Sequence, residues 1–272
     1  MGKTIVVTGA SSGIGKAIAL YFAEKGWHVA ATMRNLSKAK DLKKVDGLKV
    51  YKLDVTNEAT LKKAVKDILK DFKQIDVLVN NAGYGVGGSL ESLSKEELQQ
   101  QFEVNVFGLL RTTQEVIPVM RKQKKGVIVN IASVAGQMGF PFLGAYAATK
   151  HAVEAISENM VFELSQFGIV TKVVEPGAIS TNFGYAMDWA KKDFDKKSPY
   201  YKQAKAWNQN MTHMFDKATP SVEVAKVVEK AIKDGAKKGF RYSVGPDAKK
   251  LLKAKKRKND VAFLKMMMKM YG

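Results

Sequence analysis

Residues 4–25 read TIVVTGASSGIGKAIALYFAEK, and this stretch decides the fold class. Its first five residues are apolar or β-branched, which is typical of a strand buried on both faces of a parallel sheet. A glycine-rich turn follows at 9–15, and apolar residues then recur at helical spacing. The glycines allow positive φ angles and the close approach of a diphosphate, while the helix start offers free N–H groups. The order strand, glycine turn, helix therefore predicts a dinucleotide-binding unit.

The alternation of strand and helix continues along the chain. Six further strands are predicted from apolar and β-branched runs, at 27–32, 48–53, 76–80, 126–132, 169–175 and 240–244. Repeated strand–helix units of this kind build one parallel sheet with helices on both faces. No shift in composition marks a second domain. We therefore predict a single α/β domain over residues 1–272, with a doubly wound, seven-stranded parallel sheet.

Between residues 182 and 219 the periodic pattern loosens. The segment is rich in aromatic and methionine side chains, and we expect short helices within it. Segments of this length in compact domains often act as lids or binding elements. Its side chains would either cover an apolar substrate or pack the segment onto the body of the protein. After it, Thr219 and Pro220 predict the N-cap and first turn of a helix that runs to about Asp234.

Composition limits the classes of function. The chain of 272 residues contains no cysteine, which excludes disulfides and thiolate chemistry. This fits a reducing compartment, and the first strand begins at once, without a signal-peptide pattern, so we expect a cytoplasmic protein. No apolar run approaches the length of a membrane span.

The net charge of +19 is concentrated towards the C-terminus. Residues 181–272 contain 22 lysines and arginines against 9 acidic residues, a balance of +13. A solvated surface explains this charge most simply, and attraction to an anionic membrane, nucleic acid, substrate or cofactor is the alternative. For the basic extension 249–272 we favour a solvated or subunit-packing tail over membrane-surface contact. No motif for DNA or RNA accompanies it, so we predict no nucleic-acid partner.

The end of the second predicted strand bears on the cofactor. In dinucleotide folds an acidic residue near this position binds the adenosine ribose 2′-hydroxyl. Here the strand ends Ala31-Thr32-Met33-Arg34, without a carboxylate. A carboxylate would repel a 2′-phosphate, whereas an arginine binds one through charge-assisted hydrogen bonds. Arg34 therefore favours NADP(H) over NAD(H), unless it is merely a surface cation.

Four polar residues stand where chemistry is expected. Ser133 directly follows the fifth predicted strand, and ligands of open parallel sheets bind outside the carboxyl ends of the strands. Tyr146 and Lys150 lie four residues apart, on one face of the next predicted helix. A cation so close favours the tyrosinate and would lower the tyrosine pKa. A capping box at 94–97 predicts the start of a long helix, in which Asn105 is an amide that needs a partner.

Taken together, these residues and their surroundings resemble the short-chain dehydrogenase/reductase family in its compact single-domain form. The matching motifs are Thr8-Gly9-x-x-x-Gly13-Ile14-Gly15, Asp54, Asn80-Asn81-Ala82-Gly83, Asn105, Ser133, Tyr146-x-x-x-Lys150 and Pro176-Gly177. The resemblance implies a Rossmann fold and hydride transfer between a nicotinamide cofactor and a carbonyl or alcohol. The stretch 241–248, RYSVGPDA, is more loosely similar to the branch that includes 17-beta-hydroxysteroid and retinol dehydrogenases.

The resemblance also implies roles for the four polar residues. Tyr146 would donate its proton to a substrate carbonyl oxygen, or remove the alcohol proton in the reverse direction. Lys150, with the oxidised nicotinamide, would lower the tyrosine pKa and hold the nicotinamide ribose. Ser133 would hydrogen-bond the substrate oxygen, and Asn105 would hold a water that links Lys150 to solvent.

For the cofactor, the resemblance implies contacts from four parts of the chain. The diphosphate would lie against Gly9, Ser11, Gly13, Ile14 and Gly15. The adenosine end would contact Arg34, Asp54, Val55, Asn81, Ala82 and Gly83, with Arg34 on the 2′-phosphate. The nicotinamide carboxamide would lie near Pro176, Gly177, Ile179 and Thr181. No metal is implied.

The leading prediction is an NADP(H)-dependent oxidoreductase that acts on a small apolar ketone, aldehyde or secondary alcohol. The alternative is a sensor that binds NADP(H) without turnover, and the complete set of catalytic residues argues against it. The helix that bears Tyr146 is apolar on more than one side, because Ala155, Val161 and Phe162 add to its main stripe. We therefore predict a subunit contact there, in a homodimer or homotetramer.

Overall fold

The structure, a computed structural model, describes residues 2–184, 186–216 and 218–271, without the side chains of residues 212, 213 and 216. Tyr185, one of the aromatic residues of the 182–219 segment, lies outside the described residues.

The strands confirm the predicted parallel sheet. They are β1 Thr4–Val7, β2 His28–Met33, β3 Leu48–Lys52, β4 Val77–Asn80, β5 Val86–Gly87, β6 Gly126–Ile131, β7 Ile169–Pro176, β8 Ile179–Ser180, β9 Asp188–Trp189, β10 Thr219–Pro220 and β11 Arg241–Val244. Seven of them form one sheet in the order β11-β7-β6-β4-β1-β2-β3, with every neighbouring pair parallel. The strand order reverses between β1 and β4, and ligands bind at such a switch point.

Helices cover both faces of the sheet. They are α1 Gly13–Glu24, α2 Glu58–Phe72, α3 Lys95–Phe102, α4 Gly108–Gln123, α5 Gly144–Leu164, α6 Tyr201–Asp216, α7 Ser221–Asp234, α8 Pro246–Arg257 and α9 Asp260–Tyr271. Ile5 and Val7 of β1 pack with α1 and α7, whereas Val6 packs with α2, α4 and α5 on the other face. Side chains of a strand alternate between faces, and here both faces are apolar because both are buried.

The segment 182–219 is more regular than the sequence predicts. Instead of short helices alone it contains the sixteen-residue helix α6. Ala204, Trp207 and Met211 form its buried stripe at helical spacing, and the polar residues between them hide this stripe in the sequence. The prediction that Thr219 and Pro220 begin the next helix is wrong. They form β10, which pairs with β8, and α7 begins at Ser221.

The long helix predicted after the capping box is interrupted. Ser94 and Glu97 form the capping box as expected, with each side chain accepting a hydrogen bond from the backbone N–H of the other residue. A π-helical turn at Glu103–Phe107 then separates α3 from α4. Such turns are frequent at functional sites, and this one contains Asn105.

The C-terminal extension is helical and packs partly on the body. Phe263 and Met267 of α9 are buried against Leu251 of α8 and Met138. Among the described residues, no helix is long and apolar enough to cross a membrane. On α5, Phe162 is 79% exposed, and the subunit contact expected there stays a prediction.

The glycine turn is locked to the end of β4. Thr8 Oγ1 accepts hydrogen bonds from the N–H groups of Asn81 at 2.9 Å and Ala82 at 3.0 Å, and Asn81 Nδ2 donates to Thr8 O at 2.9 Å. Gly15 lies inside this contact, since a Cβ on Gly15 would collide with the carbonyl of Gly9 and lie 2.5 Å from Asn81 Nδ2. The ends of β1 and β4 are therefore in such close contact that position 15 has no room for a side chain.

A partly buried ionic cluster joins α5 to the edge of the sheet. Arg241 Nε of β11 lies 2.8 Å from Glu154 Oε2 of α5 and 3.8 Å from Glu175 Oε1 of β7. Arg241 also pairs with Glu158, a more exposed residue of α5. Burial raises the pKa of Glu154, and the charge of Glu175 raises it further, while Arg241 acts in the opposite direction. One arginine thus offsets two buried carboxyl groups.

We expect Arg241→Gln to destabilise the fold by about 3 kcal/mol near neutral pH, because it leaves buried carboxylates without their cation. The loss should be greater at about pH 8 than at about pH 6. The pKa of Glu154 is raised in the folded state, so protonation favours that state and its benefit is lost as the pH rises. Urea denaturation at the two pH values measures this. Arg257→Gln, at an exposed position of α8, is the matched control, and equal effects of the two changes would contradict the prediction.

Gly15→Ala should destabilise the protein by about 2 kcal/mol, because the new methyl group overpacks the contact between the glycine turn and the end of β4. Gly139→Ala is the control, since a Cβ at Gly139 meets no heavy atom within 4 Å. Thermal and urea denaturation of both variants measure the difference. Indistinguishable midpoints would mean that the turn moves without penalty.

Candidate active site

One cavity of about 730 Å³ lies at the carboxyl edge of the sheet, and the predicted site residues converge on it. Those that line it are Gly9, Ser11, Gly13, Ile14, Arg34, Asp54, Val55, Asn81, Ala82, Gly83, Ser133, Tyr146, Lys150, Pro176, Gly177, Ile179 and Thr181. Gly15 and Asn105 are not part of the lining. They act as supports, Gly15 against Asn81 and Asn105 against the backbone of Tyr84.

The glycine turn has the features of a diphosphate site. Gly9 and Gly13 adopt φ angles of +66° and +54°, which favour glycine. The side chain of the N-cap residue Ser12 makes no capping hydrogen bond, so it does not occupy the first amide groups of α1. Free amides and the positive end of the helix dipole favour an anion at this point.

The adenosine end carries more positive charge than the sequence predicts. The exposed Arg34 lines the cavity beside Asn35 and Lys38, two residues that the sequence analysis missed. Asn35 Oδ1 accepts a hydrogen bond from Ser37 N at 2.9 Å and so caps the short turn that carries Lys38. The run RNLSK at 34–38 is the signal that could have found them. Across the cavity, Asp54 Oδ1 accepts from Thr56.

Tyr146 and Lys150 lie together in the interior, as predicted, and only 9% and 7% of their surfaces are exposed. The Lys150 ammonium is 5.7 Å from the centre of the Tyr146 ring and donates a hydrogen bond of 2.9 Å to the carbonyl of Ile131 in β6. Ser133, two residues after Ile131, is close enough to Tyr146 for its hydroxyl to influence the pKa of the phenol. Ser133 Oγ also accepts from Ala135 N at 3.1 Å, which fixes its direction.

The pKa of Tyr146 differs from the expectation. Burial raises it to about 12, and the hydroxyl of Ser133 only partly opposes this effect. Burial also lowers the pKa of Lys150 to about 8, against the charge of Glu154, which acts in the opposite direction. The enclosed site disfavours both charged forms. Burial is therefore the dominant effect on the pKa of Tyr146 within the chain, and the lowering expected from Lys150 is not seen there.

Asn105 ties the π-helical turn to the catalytic helix. Its Nδ2 donates to Tyr84 O at 2.9 Å and to Thr149 Oγ1 at 3.1 Å, and its Oδ1 accepts from Tyr84 N at 3.1 Å. Thr149 precedes Lys150 on α5 and donates to the carbonyl of Tyr146. The amide thus has the partners that its burial requires, and the water-holding role stays a prediction.

The nicotinamide end is shaped by α8. Asp247, in the first turn of α8, accepts a hydrogen bond of 2.7 Å from Ala178 N, directly after the Pro176-Gly177 motif. A Cβ on Gly177 would collide with this carboxylate. The motif glycine is therefore required by an interaction with a residue seventy positions later in the chain. Sequence reasoning did not find Asp247 as part of the site.

The far half of the cavity is apolar. Residues of the 182–219 segment line it, namely Phe183, Met187, Trp207, Met211, Met214 and Phe215. Residues that the sequence analysis did not assign to the site complete it, namely Phe140, Leu143, Leu251 and Tyr271. Other aromatic residues of the segment serve packing, as Trp189 does with Phe194. The segment thus lines the cavity with some residues and packs on the body with others, and its role in covering a substrate stays a prediction.

These residues fit a nicotinamide dinucleotide. The glycine turn lets backbone approach backbone closely, since a Cβ on Gly9 would lie 2.9 Å from Ala82 Cα. Cations lie at the adenosine end, free amides at the middle, and a hydroxyl pair with a lysine at the opposite end. Each donor type matches the part of the cofactor that would lie there.

Comparison with known proteins agrees with this geometry. The family described as short chain dehydrogenase matches residues 3–191. A 3-ketodihydrosphingosine reductase of Bacteroides thetaiotaomicron is 40% identical over 181 residues, which cover 66% of this chain and 65% of that protein. Human retinol dehydrogenase 8 is 39% identical over 190 residues, which cover 66% of this chain and 60% of that one. The chain thus matches less than two thirds of the length of these relatives.

Solved structures agree as well. A short-chain dehydrogenase from Streptomyces avermitilis has a TM-score of 0.82 at 34% identity, with 93% of this chain and 91% of that one covered. ElxO with NADP bound has a TM-score of 0.74 at 28% identity, over 90% and 97% of the two chains. A Burkholderia phymatum member in complex with NAD has 0.80 at 25%, over 93% and 92%. These neighbours support a nicotinamide cofactor without choosing between NAD and NADP. The chain belongs to the short-chain dehydrogenase/reductase family of oxidoreductases.

Proposed function

We propose that the protein is an NADP(H)-dependent oxidoreductase that interconverts an apolar ketone or aldehyde and the corresponding alcohol, with Tyr146 as the general acid and base. The observation that carries the proposal is that Ser133, Tyr146 and Lys150 line the same cavity as the apolar half. A carbonyl compound in that half would bring its oxygen to the two hydroxyl groups and its apolar remainder to aromatic and methionine side chains.

The cofactor, when bound, supplies or accepts the hydride. Ser133 hydrogen-bonds the substrate oxygen and steadies the negative charge that develops on it. Tyr146 transfers its phenolic proton to that oxygen in reduction and receives a proton in oxidation. Lys150, held by the carbonyl of Ile131, provides a positive charge beside the phenol and a donor for the ribose.

The protonation states of Tyr146 and Lys150 near neutral pH are those that the reduction of a carbonyl group requires. A phenol whose pKa is raised to about 12 by burial is protonated throughout the neutral range, so Tyr146 is ready to act as a donor. The ammonium of Lys150, with a pKa lowered to about 8, still carries its charge near neutral pH. A proton donor beside a cation suits the reduction of a carbonyl group.

NADP(H) is proposed over NAD(H) on the charges at the end of β2. Arg34 and Lys38 both line the adenosine end, and the strand ends without the carboxylate that would repel a 2′-phosphate. Two cations around one phosphate also limit the effect of losing either.

Tyr146→Phe should lower kcat for carbonyl reduction by about 10²–10⁴-fold, because it removes only the transferable proton. The ring packs against Phe183, with centroids 5.6 Å apart, and the phenylalanine retains this contact. The measurement is NADPH absorbance with a panel of apolar ketones and aldehydes. Tyr51→Phe, which removes a phenol hydroxyl outside the cavity, is the control. Equal turnover by Tyr146→Phe and wild type would refute the acid–base role, and a wild type that binds NADPH but reduces no carbonyl would favour the sensor.

Arg34→Asp should reverse the cofactor preference. The loss of a charge-assisted hydrogen bond and the new repulsion should lower kcat/KM for NADPH by about 10- to 100-fold, while NADH gains a ribose acceptor. Lys38→Ala should weaken NADPH use to a smaller extent and leave NADH use unchanged. Steady-state kinetics with both cofactors measure the ratio. A ratio that neither change alters would show that other residues select the cofactor.

A further inference from the structure

The helix α9 is apolar on more than one side. Phe263 and Met267 are buried on the body, with 2% and 5% exposed. Val261, Leu264 and Met268 have exposed fractions of 63%, 55% and 65%. The spacing of three and four residues places these three side chains on one face of the helix. The body of the protein does not cover this exposed stripe.

The two C-terminal helices that carry the stripe are strongly basic. Residues 246–271 contain nine lysines and arginines against two aspartates, a balance of +7. Of the two aspartates, Asp247 bonds Ala178 N in the site and Asp260 pairs with Lys255. The exposed cations are Lys249, Lys250, Lys253, Lys256, Arg257, Lys258, Lys265 and Lys269. We call the stripe and these cations the basic apolar face.

We propose that the basic apolar face docks on an anionic lipid surface. Apolar side chains of a surface helix enter the boundary between headgroups and acyl chains, while lysines beside them meet the anionic headgroups. Each lysine near an anionic lipid surface adds to the attraction. The eight exposed cations would gain no such attraction from a neutral surface. An anionic lipid surface thus matches both the aliphatic stripe and the cations.

Other partners fit only one part of the face. A nucleic acid would pair with the lysines but would gain nothing from three exposed aliphatic side chains. A second copy of the chain would cover the aliphatic stripe but would bring two surfaces of +7 together, which repel. An acidic protein with its own apolar patch is the remaining class, and the experiment separates it from lipid.

Docking would also bring lipid next to the substrate half of the cavity. Leu251 of α8 and Tyr271 of α9 line that half. The Tyr271 ring packs edge-on against Phe140 and Trp207, with centroids 5.7 and 5.6 Å apart. Both helices therefore contribute residues to the cavity as well as to the basic apolar face. This consequence rests on the proposed function, because it concerns an apolar substrate that partitions into the bilayer, whereas docking itself does not.

The test is co-sedimentation of the full chain with phosphatidylcholine vesicles, with and without phosphatidylglycerol. We expect pelleting with the anionic vesicles and its loss at high salt. Lys249→Glu/Lys253→Glu should lower the partition coefficient at least about tenfold. Lys66→Glu/Lys70→Glu, on exposed positions of α2, makes the same change in net charge and should have a much smaller effect.

A second variant separates lipid from other polyanions. Val261→Ser/Leu264→Ser/Met268→Ser alters exposed positions, so the fold should persist, as urea denaturation checks. It should lower vesicle binding but leave binding to polyglutamate unchanged, because the lysines remain. Equal pelleting with neutral and anionic vesicles, or wild-type pelleting by both sets of α8–α9 variants, overturns the proposal. Binding to polyglutamate without binding to vesicles also overturns it, in favour of an acidic protein. Carbonyl turnover does not enter these readouts.

Discussion

The hydrogen bond from the Lys150 ammonium to the carbonyl of Ile131 is the interaction on which the site depends. It fixes the helix α5 to the strand β6 at the depth of the cavity. Because Ser133 follows Ile131 by two residues and Tyr146 precedes Lys150 by one helical turn, this single contact sets both hydroxyl groups at the same point. Thr149, on the same turn of α5, is held in addition by Asn105. The helix α5 is thus fixed from two sides, as the catalytic role that we propose for it requires.

Burial acts on Tyr146 and Lys150 in the same sense. It raises the pKa of the tyrosine and lowers that of the lysine, so both are drawn towards their neutral forms. The neutral form of the phenol is a proton donor, whereas the neutral form of the amine has lost the positive charge of the ammonium. On the lysine, the charge of Glu154 acts against burial and favours the charged form. Glu154 belongs in turn to the cluster with Arg241, which links the charge at the site to the edge of the sheet.

The sequence predicts most of the sheet because strands buried on both faces are continuous apolar runs. It does not predict α6, because three buried side chains among lysines, glutamines and asparagines give a weak pattern. The π-helical turn is also hidden. The local sequence continues as a helix, and tertiary bonds of Asn105 to Tyr84 and Thr149 accompany the interruption. The motif residues of the site were found, whereas Lys38, Asp247 and Tyr271 were not. The fold brings these residues to the cavity, and no local sequence pattern indicates their position there.

The C-terminal helices show why the tail resists a single interpretation. Methionines and phenylalanine on one side of α9 pack on the body, as a subunit-packing or folded tail would, and lysines lie in solvent. The tail nevertheless contributes to the cavity. Through Asp247 the helix α8 holds the backbone after Gly177, and through Leu251 it lines the apolar half. Burial raises the pKa of Tyr271, and the charge of the same Asp247 carboxylate raises it further. A displacement of α8 would therefore alter both ends of the cavity together, because one rigid element contacts both.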